Sequence, residues 1–285
     1  MHSESGANRR VDTSILGLPL PLSGRTSLFA ILGDPIAQAG SPIFFNTAFR
    51  KRNWPAVLVP MQVSAPELPA SLQGLRTIAN LRGLVLTTPH KTAALQWIDS
   101  VGPEGSLVRS INAIRCDTNG RWHGENFDGL GCVAGLTSAG HNLTGKRILI
   151  VGAGGAGRAI ASAVAREAPA VLRLNDVDTA RANSICACLE LANVGLAIET
   201  GPPDPEGFDV AINCTPLGMK DRPGCAIDPA RLGDGTLVVD LVVEPEMTSL
   251  LVAAKARGCV VQPGLRTLEG QVDALCSFFE GKDRG

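Results

Sequence analysis

A glycine-rich turn in the middle of the chain constrains the fold more than any other feature. The stretch ILIVGAGGAGRAIA, residues 148–161, places Gly152, Gly154 and Gly157 in G-x-G-x-x-G spacing. Because the turn follows an aliphatic run and opens an alanine-rich segment, it predicts a strand, a tight turn and a helix. The second glycine would let backbone N–H groups approach a pyrophosphate, and the third would let the helix pack on the strand. An ordinary tight turn is the alternative, and we favour a dinucleotide-binding site.

Asp176 supports the same interpretation. The next predicted strand, AVLRLND, ends at Asp176, nineteen positions after Gly157. In such folds a carboxylate about 20 residues beyond the glycines hydrogen-bonds the adenosine ribose. A flavin enzyme usually carries the glycine turn near its N-terminus, whereas here a region large enough to hold a substrate precedes it. The sequence therefore favours a nicotinamide dinucleotide.

Short aliphatic runs alternate with helical stretches along most of the chain, which predicts an α/β fold. A second series of strands and helices begins near residue 130, and it contains the glycine-rich turn. We predict an N-terminal α/β substrate domain over residues 25–129, completed by a C-terminal helix over 265–285. A Rossmann-type doubly wound NAD-binding domain is predicted over 130–264. Residues 1–24 are predicted to form a loose tail.

Composition excludes several classes of protein. The 285 residues carry a net charge of −1, which argues against binding to nucleic acid or to a membrane surface. No apolar run approaches the roughly 20 residues of a membrane span, and the first two dozen residues lack the apolar core of a secretory signal. The eight cysteines form no C-x-x-C pair and the four histidines are isolated. We therefore predict no metal site, and cysteines that act as small apolar side chains in a reducing cytoplasm.

Lys91 has an unusual position in LVLTTPHKTA, residues 84–93. It falls in the first turn of a helix predicted over PHKTAALQWIDSV, where the helix dipole disfavours a cation. Burial would also destabilise the ammonium, which suits a group that accepts a proton from an alcohol as hydride leaves carbon. Asp128, in GENFDGLG, is a candidate orienting carboxylate, although an aspartate before glycine is equally typical of a helix cap. We expect Lys91 to lie away from the dinucleotide loop.

Several segments together resemble the shikimate dehydrogenase family. GDPIAQAGSPIFFN resembles its first substrate loop, with Ser41 predicted as the N-cap of a helix, and TTPHK resembles its lysine motif. SINAI resembles its asparagine strand, ENFDG its aspartate motif and GAGGAGRA its cofactor loop. NCTPLGM resembles the start of its nicotinamide-side loop, and GLRTLEGQ its final helix. The matches follow the family order from about residue 29 to residue 280.

The resemblance implies an NAD(P)-dependent alcohol dehydrogenase of the shikimate/quinate type, a cytoplasmic enzyme of aromatic amino acid biosynthesis. Lys91 and Asp128 would form an acid/base dyad facing a cleft between the domains. The implied substrate contacts are Ser41, Thr87, Asn112, Asn126 and Gln271. The implied cofactor contacts are Gly152, Gly154, Gly155, Ala156, Gly157, Asn175, Asp176, Thr215 and Gly264. The reaction would be reversible hydride transfer between the nicotinamide and a ring hydroxyl or ketone of a cyclic polyol acid.

The chain departs from the family pattern at the expected substrate pocket. The family's first loop carries two serines around a lysine, whereas here Ala39 and Gly40 precede the single serine. An asparagine, a threonine and a tyrosine of the family are replaced by apolar residues, namely Val85, Phe127 and Val243. We expect the reaction type to survive because the dyad is present. Shikimate itself is expected to be a poor substrate, since hydroxyl contacts are lost and Phe127 would crowd its ring.

The cofactor strand also departs from the pattern. NADP-using members carry an arginine where this chain has Asp176. A carboxylate accepts from the ribose 2′-hydroxyl and repels a 2′-phosphate, so we predict NAD in preference to NADP. Two alternatives stay open, a non-catalytic NAD or ligand sensor and a folate-linked dehydrogenase of similar layout. The protein is expected to be a monomer or homodimer that binds a small molecule.

Overall fold

The structure, a computed structural model, describes residues 22–281. It contains two six-stranded sheets, each flanked by helices. The predicted two-part α/β fold is therefore confirmed, whereas the domain boundaries at 25–129, 130–264 and 265–285 stay a prediction. Most of the expected loose tail over 1–24 lies outside the described residues, and so do the last four residues of the C-terminal segment.

The first sheet is mixed. Its strands are β1 (Ser27–Gly33), β2 (Ala56–Gln62), β3 (Leu81–Leu86), β4 (Ser100–Val101), β5 (Ala113–Cys116) and β6 (Trp122–Glu125). They lie in the order β2-β1-β3-β5-β6-β4. The pairs of β1 with β2 and with β3 are parallel, and β5 runs antiparallel to both of its neighbours. The buried aliphatic runs of β1 and β3 put their carboxyl ends side by side, next to Thr87 and Lys91.

Four helices accompany this sheet: α1 (Ser41–Lys51), α2 (Leu68–Arg76), α3 (His90–Ala93) and α4 (Pro103–Val108). The predicted N-cap at Ser41 is wrong, because α1 begins at Ser41 and its N-cap is Gly40. The long helix predicted around Lys91 is also wrong. Helix α3 has four residues and continues only as a 3₁₀ helix to Trp97. Ile98 is extended and Ser100 pairs with β6, so strand pairing overrides the local helical pattern.

The second sheet is parallel throughout. Its strands are β7 (Arg147–Val151), β8 (Val171–Asn175), β9 (Ala197–Thr200), β10 (Val210–Asn213), β11 (Leu237–Asp240) and β12 (Val260–Gln262). The order β12-β11-β10-β7-β8-β9 is that of the Rossmann fold. The order reverses between β7 and β10, and in such sheets ligands bind outside the carboxyl ends at this switch point. The glycine-rich turn follows β7 and therefore lies there.

Five further helices follow β6 in the chain: α5 (Asp128–Ser138), α6 (Gly155–Ala165), α7 (Thr179–Ala192), α8 (Ser249–Ala256) and α9 (Leu265–Phe279). Sequence reasoning did not identify α4 or α8. Helix α8 is short, and its start is marked by Thr248, whose side chain accepts a hydrogen bond from the backbone N–H of Leu251. The serine, threonine and aspartate preference of N-caps is the signal that could have located it.

Helices α5 and α9 pack closely because glycines bring their backbones together. A Cβ added at Gly131 would lie 2.5 Å from the carbonyl oxygen of Thr267, and one at Gly135 would lie 2.7 Å from that of Arg266. Helix α9 also contacts α1 and β5, next to the first sheet. Helix α9 thereby brings Gln271 to Asn112, the residue directly before β5.

Two chemical features of the described residues bear on function. All eight cysteines have free thiols, and burial raises the pKa of Cys116 and of Cys132 to about 12. Within residues 22–281, no group of three or more His, Cys, Asp or Glu side chains is placed to hold a metal ion. In the same part of the chain, every helix is too short or too polar to cross a membrane.

Candidate active site

Lys91 and Asp128 form an ion pair where the two halves of the molecule meet. Lys91 lies in α3, directly after β3, and Asp128 is the first residue of α5. The Lys91 Nζ lies 2.5 Å from Asp128 Oδ2, and the two side chains are 16% and 8% exposed. The contact is a charge-assisted hydrogen bond, the stronger kind in proteins. The helix-cap alternative for Asp128 is not observed, since no side-chain cap bond is formed at the start of α5.

Asn112 holds the carboxylate from its other side. Its Nδ2 donates to Asp128 Oδ1 at 2.9 Å and to Gln271 Oε1 at 2.8 Å, while its Oδ1 accepts from the backbone N–H of Phe127 at 2.9 Å. Both N–H bonds of this buried amide are therefore directed at protein atoms. The geometry suits Asn112 to orienting Asp128 and Gln271.

Asn126 supports the dyad through the backbone. Its Oδ1 accepts from the N–H of Asp128 at 3.0 Å, and its Nδ2 donates to the carbonyl oxygen of Ser110 at 3.0 Å. Ser110 is wholly buried, and its hydroxyl lies 3.3 Å from the same Nδ2. The N–H of Ile111, the next residue, donates to the carbonyl oxygen of Lys91 at 2.8 Å. Lys91 and Asp128 are thus fixed to the same short segment at residues 110–111.

The remaining predicted substrate residues surround the ends of the first sheet. Thr87 follows β3, and its backbone N–H donates to the carbonyl oxygen of Leu32 at 2.9 Å. Ser41 is buried at the start of α1. A Cβ added at the preceding Gly40 would lie 3.3 Å from Leu268 and 3.4 Å from Val243, so this loop packs against the start of α9 and the segment after β11.

Three of the apolar residues that depart from the family pattern share one buried cluster. Val85 and Phe127 belong to one buried cluster in the first half of the molecule, and Ala39 packs against it. The Phe127 ring lies 5.3 Å from that of Phe278 in α9 and is 4% exposed. The expectation that Phe127 crowds the substrate ring is therefore wrong, because its side chain fills the core beneath α9.

The glycine-rich turn has the backbone geometry of a dinucleotide cradle. Gly152 has φ +101°, a conformation that favours glycine, and its N–H donates to the carbonyl oxygen of Asn175 at 2.8 Å. A Cβ at Gly157 would collide with the carbonyl oxygen of Gly152, so helix α6 needs glycine there to pack on the turn. A Cβ at Gly154 would meet no atom within 4 Å, which leaves the N-terminus of α6 open to an anion. These residues fit a dinucleotide.

Asp176 comes directly after β8 and is half-buried beside this cradle. Its Oδ2 accepts from the N–H of Ala153 at 2.7 Å, and its Oδ1 accepts from the N–H of Asp178 at 2.9 Å. A cleft of about 290 Å³ lies beside Asp176 and is lined also by Asn175, Thr179, Asn183 and Gly201. A carboxylate has about four acceptor positions, so Asp176 retains capacity for ligand hydroxyls.

The loop after β10 is organised by a polar network that sequence reasoning missed. The buried Asp240, at the end of β11, accepts from Asn213 Nδ2 at 3.0 Å, from Thr248 Oγ1 at 2.7 Å and from the N–H of Val242 at 3.1 Å. Thr215 donates its hydroxyl to Asn213 Oδ1 at 2.7 Å. Burial raises the pKa of Asp240, and these hydrogen bonds oppose that rise. Asn213 and Asp240 are polar residues at the ends of the buried apolar strands β10 and β11, and this pattern could have indicated the network from the sequence.

The structure brings the expected cofactor residues to one edge of the second sheet. They lie at or just after the carboxyl ends of β7, β8, β10 and β12, namely Gly152, Gly154, Gly155, Ala156, Gly157, Asn175, Asp176, Thr215 and Gly264. The expectation that Lys91 lies away from the dinucleotide loop is wrong. A Cβ added at Gly155 would lie only 3.1 Å from Lys91 Cβ.

Comparison with known proteins gives consistent matches. The chain matches the shikimate dehydrogenase substrate binding domain over residues 31–114. Shikimate dehydrogenase (NADP(+)) of Moorella thermoacetica is 32% identical over 280 residues, covering 93% of this chain and 91% of that relative. The structure of shikimate 5-dehydrogenase from Thermus thermophilus in complex with NADP(H) and shikimate is 29% identical, with a TM-score of 0.79 and coverage of 90% and 94%. Quinate dehydrogenase from Corynebacterium glutamicum in complex with NAD is 28% identical, with a TM-score of 0.76 and the same coverage.

A parallel sheet in Rossmann order with a glycine-rich turn at its switch point defines a dinucleotide-binding protein, and the relatives are oxidoreductases that act on an alcohol. Its nearly full-length similarity to the Moorella enzyme assigns the chain more narrowly. The chain belongs to the shikimate dehydrogenase family, and it is an enzyme of the shikimate/quinate dehydrogenase type.

Proposed function

We propose that the protein catalyses reversible hydride transfer between NAD and a ring hydroxyl or ketone of a cyclic polyol acid, such as shikimate/3-dehydroshikimate or a close analogue. The observation that carries this proposal is the Lys91–Asp128 ion pair, with Nζ and Oδ2 2.5 Å apart, beside the N-terminus of α6. A proton-transfer group next to a dinucleotide cradle is what alcohol oxidation requires, because the hydroxyl proton leaves as hydride leaves carbon.

Lys91 is proposed to take the hydroxyl proton in oxidation as the neutral amine, and the ammonium formed returns that proton in reduction. Asp128 Oδ2 holds the Lys91 side chain in position, and Asn112 Nδ2 holds Asp128 by donating to Asp128 Oδ1. A bound nicotinamide supplies or accepts the hydride. Positioned acid–base groups of this kind contribute roughly 10²–10⁴-fold to a rate.

The substrate is proposed to contact Ser41, Thr87, Asn112, Asn126 and Gln271. Gln271 Oε1 already accepts from Asn112 at 2.8 Å, so its Nε2 is the part suited to donating to a substrate oxygen. The amide groups of Asn112 and Asn126 also bond to protein atoms, so these residues would orient the dyad in addition to contacting the substrate. The single serine at the start of α1 supports weak binding of a carboxylate.

NAD is proposed as the cofactor, held by the residues at the carboxyl ends of β7, β8, β10 and β12. The preference for NAD rests on Asp176, because its carboxylate would accept from ribose hydroxyls and repel a 2′-phosphate. Two of the nearby cations are already paired with carboxylates. Arg173 contacts Glu199 at 2.7 Å, and Arg181 contacts Asp178 at 3.1 Å.

NAD reduction measured against a panel of cyclic polyol acids that includes shikimate and quinate tests this function directly. We expect turnover on at least one of them and a high KM for shikimate. Tight NAD binding without turnover on any polyol would favour the sensor alternative. Turnover only on a folate substrate would favour the folate-linked alternative.

We further propose that the substrate domain comprises 25–129 with 265–285, and that the dinucleotide domain comprises 130–264. Free cysteines at all eight positions support a cytoplasmic protein. A monomer or homodimer is expected, which sedimentation measurements can test.

A further inference from the structure

The first turn of α6 contacts the residues that carry both members of the dyad. A Cβ added at Gly155 would lie 3.1 Å from Lys91 Cβ, 3.5 Å from Lys91 Cδ and 2.7 Å from Ser110 Oγ. Gly155 has an ordinary helical conformation, so its backbone does not require glycine. Space is what excludes a side chain there.

Ser110 connects this contact to Asp128. Asn126 Nδ2 donates to the carbonyl oxygen of Ser110, and Asn126 Oδ1 accepts from the N–H of Asp128. The aliphatic stem of Lys91 lies directly against the same glycine. The Lys91 ammonium in turn contacts Asp128 Oδ2. The position of Gly155 therefore bears on the dyad through two independent routes.

The neighbouring glycine has different surroundings. A Cβ at Gly154 would meet no atom within 4 Å, whereas one at Gly155 would meet two buried or half-buried side chains. The G-x-G-x-x-G spacing explains Gly152, Gly154 and Gly157 through the dinucleotide and the packing of the turn. Gly155 is not one of its three required glycines, so its lack of a side chain needs another reason.

We propose that Gly155 is a positioning residue for the Lys91–Asp128 pair, seating Lys91 and Ser110 against the N-terminus of α6. The inference rests on the proposed acid/base role of the pair. The glycine-rich loop then serves two purposes, with Gly154 open toward the dinucleotide and Gly155 setting the geometry of proton transfer.

Gly155→Ala tests the proposal by adding one methyl group. We expect kcat to fall on the order of 10²-fold, as small displacements of reacting groups can cost, with an altered pH profile of kcat. The dissociation constant for NAD, measured by calorimetry, should change far less than kcat because the backbone N–H groups of the loop are retained. Gly74→Ala is the matched control, since a Cβ there meets nothing within 4 Å on the exposed face of α2.

Ser110→Ala combined with Gly155→Ala identifies the cause. Removing the Ser110 hydroxyl clears the 2.7 Å contact, so part of the lost kcat should return relative to Gly155→Ala. Ser110→Ala alone completes the double-mutant cycle. If Gly155→Ala alone does not fold, the double variant replaces it in the test. A kcat of the double variant below that of Ser110→Ala would then report the remaining contact between the added methyl group and Lys91.

A crystal structure of Gly155→Ala supplies a readout that does not depend on turnover. We expect Lys91 Nζ to have moved out of hydrogen-bond distance from Asp128 Oδ2. Wild-type kcat with an intact pair would overturn the proposal, and so would loss of NAD binding with an intact pair. Absence of polyol turnover in the wild type would instead refute the proposed function, while the crystal structure would still decide the role of Gly155.

Discussion

Lys91 illustrates how the neighbours of a single residue determine its use. Its ammonium meets Asp128, whereas its aliphatic stem packs on Gly155. Truncating the side chain to alanine would therefore remove a charge and a packing contact together. Methionine separates the two effects, because it keeps an apolar stem of similar length without a titratable group.

Lys91→Met is expected to lower kcat by roughly 10²–10⁴-fold, the usual contribution of general acid–base catalysis. The NAD dissociation constant should stay at the wild-type value because contact with the cofactor loop is preserved. Steady-state kinetics and calorimetry measure the two quantities. Lys146→Met, at an exposed position, is the control. Wild-type turnover in Lys91→Met would refute the catalytic assignment.

Asp176 is expected to give a preference for NAD over NADP of at least about 10²-fold in kcat/KM, since like charges at an interface cost several kcal/mol. Asp176→Ala should shrink this ratio by improving NADP binding and weakening NAD binding. Kinetics with both cofactors at saturating substrate measure it, with the exposed Asp234→Ala as control. Equal or better efficiency with NADP in the wild type would show that the carboxylate does not face the ribose.

Ala39→Ser should raise kcat/KM for shikimate by about tenfold or more, because a hydrogen bond to a charged group contributes about 1.5–3 kcal/mol. Ala39→Val adds bulk without a hydroxyl and should give no gain. A low micromolar KM for shikimate in the wild type would contradict the argument.

Phe127→Thr is not expected to open the pocket, since the Phe127 ring packs on Phe278 in the core. It should instead destabilise the protein by about 3–5 kcal/mol, as loss of a buried phenyl ring does.

Helices α5 and α9 show how an element can position a side chain at a distance. Their close approach brings Gln271, on α9, within 2.8 Å of Asn112, which directly precedes β5 of the first sheet. Glycines on both helices make this possible. A Cβ at Gly270 would collide with the carbonyl oxygen of Gly131, and one at Gly131 would lie 2.8 Å from Gln271 Cβ.

Gly131→Ala is therefore expected to push α9 away from α5. The free energy of unfolding should fall by about 1–3 kcal/mol, as overpacking costs, and KM for the substrate should rise because Gln271 moves. Urea denaturation and steady-state kinetics measure these changes. Gly74→Ala should instead stabilise by about 0.5–1 kcal/mol, the helix-propensity difference between the two residues. Equal effects of the two substitutions would show that helix contact is not the cause.

At the scale of the whole molecule, stability should depend on pH through the buried Asp240. Burial raises the pKa of this carboxyl in the folded state. The unfolded chain therefore loses its proton first, and the contribution of Asp240 to stability falls as pH rises from about 4 through the folded-state pKa. At pH values below the unfolded-state pKa both states are protonated and the contribution is complete.

Asp240→Asn should remove this dependence while keeping the shape of the side chain. Its amide oxygen can still accept from Asn213 Nδ2 and from the N–H of Val242, whereas its amide nitrogen cannot accept from Thr248 Oγ1, a loss that does not depend on pH. The free energy of unfolding of the wild type minus that of the variant should be largest near pH 4 or below and should decrease as pH rises. Urea denaturation at a series of pH values measures it, with the exposed Asp234→Asn as control. Parallel stability curves for wild type and Asp240→Asn would contradict the prediction.

Local patterns in the sequence determined most of the architecture. The strands, the long helices and the turn after β7 depend on side-chain periodicity and on glycine sterics, which act between residues close in the chain. Lys91, Asp128 and the glycines could therefore be identified as candidates from short motifs. The same patterns failed where a distant partner competed, as at α3, where pairing of Ser100 with β6 ended the predicted helix.

Tertiary structure alone decided which atoms of these residues face each other. It turned the amides of Asn112 and Asn126 toward the dyad, placed Phe127 beneath α9, and set Gly155 against Lys91. None of these contacts follows from a motif, because each joins elements that are far apart in the chain and meet only when the two sheets and their helices pack. The sequence specified the chemical groups of the site, and the packing of α5, α6 and α9 specified their geometry.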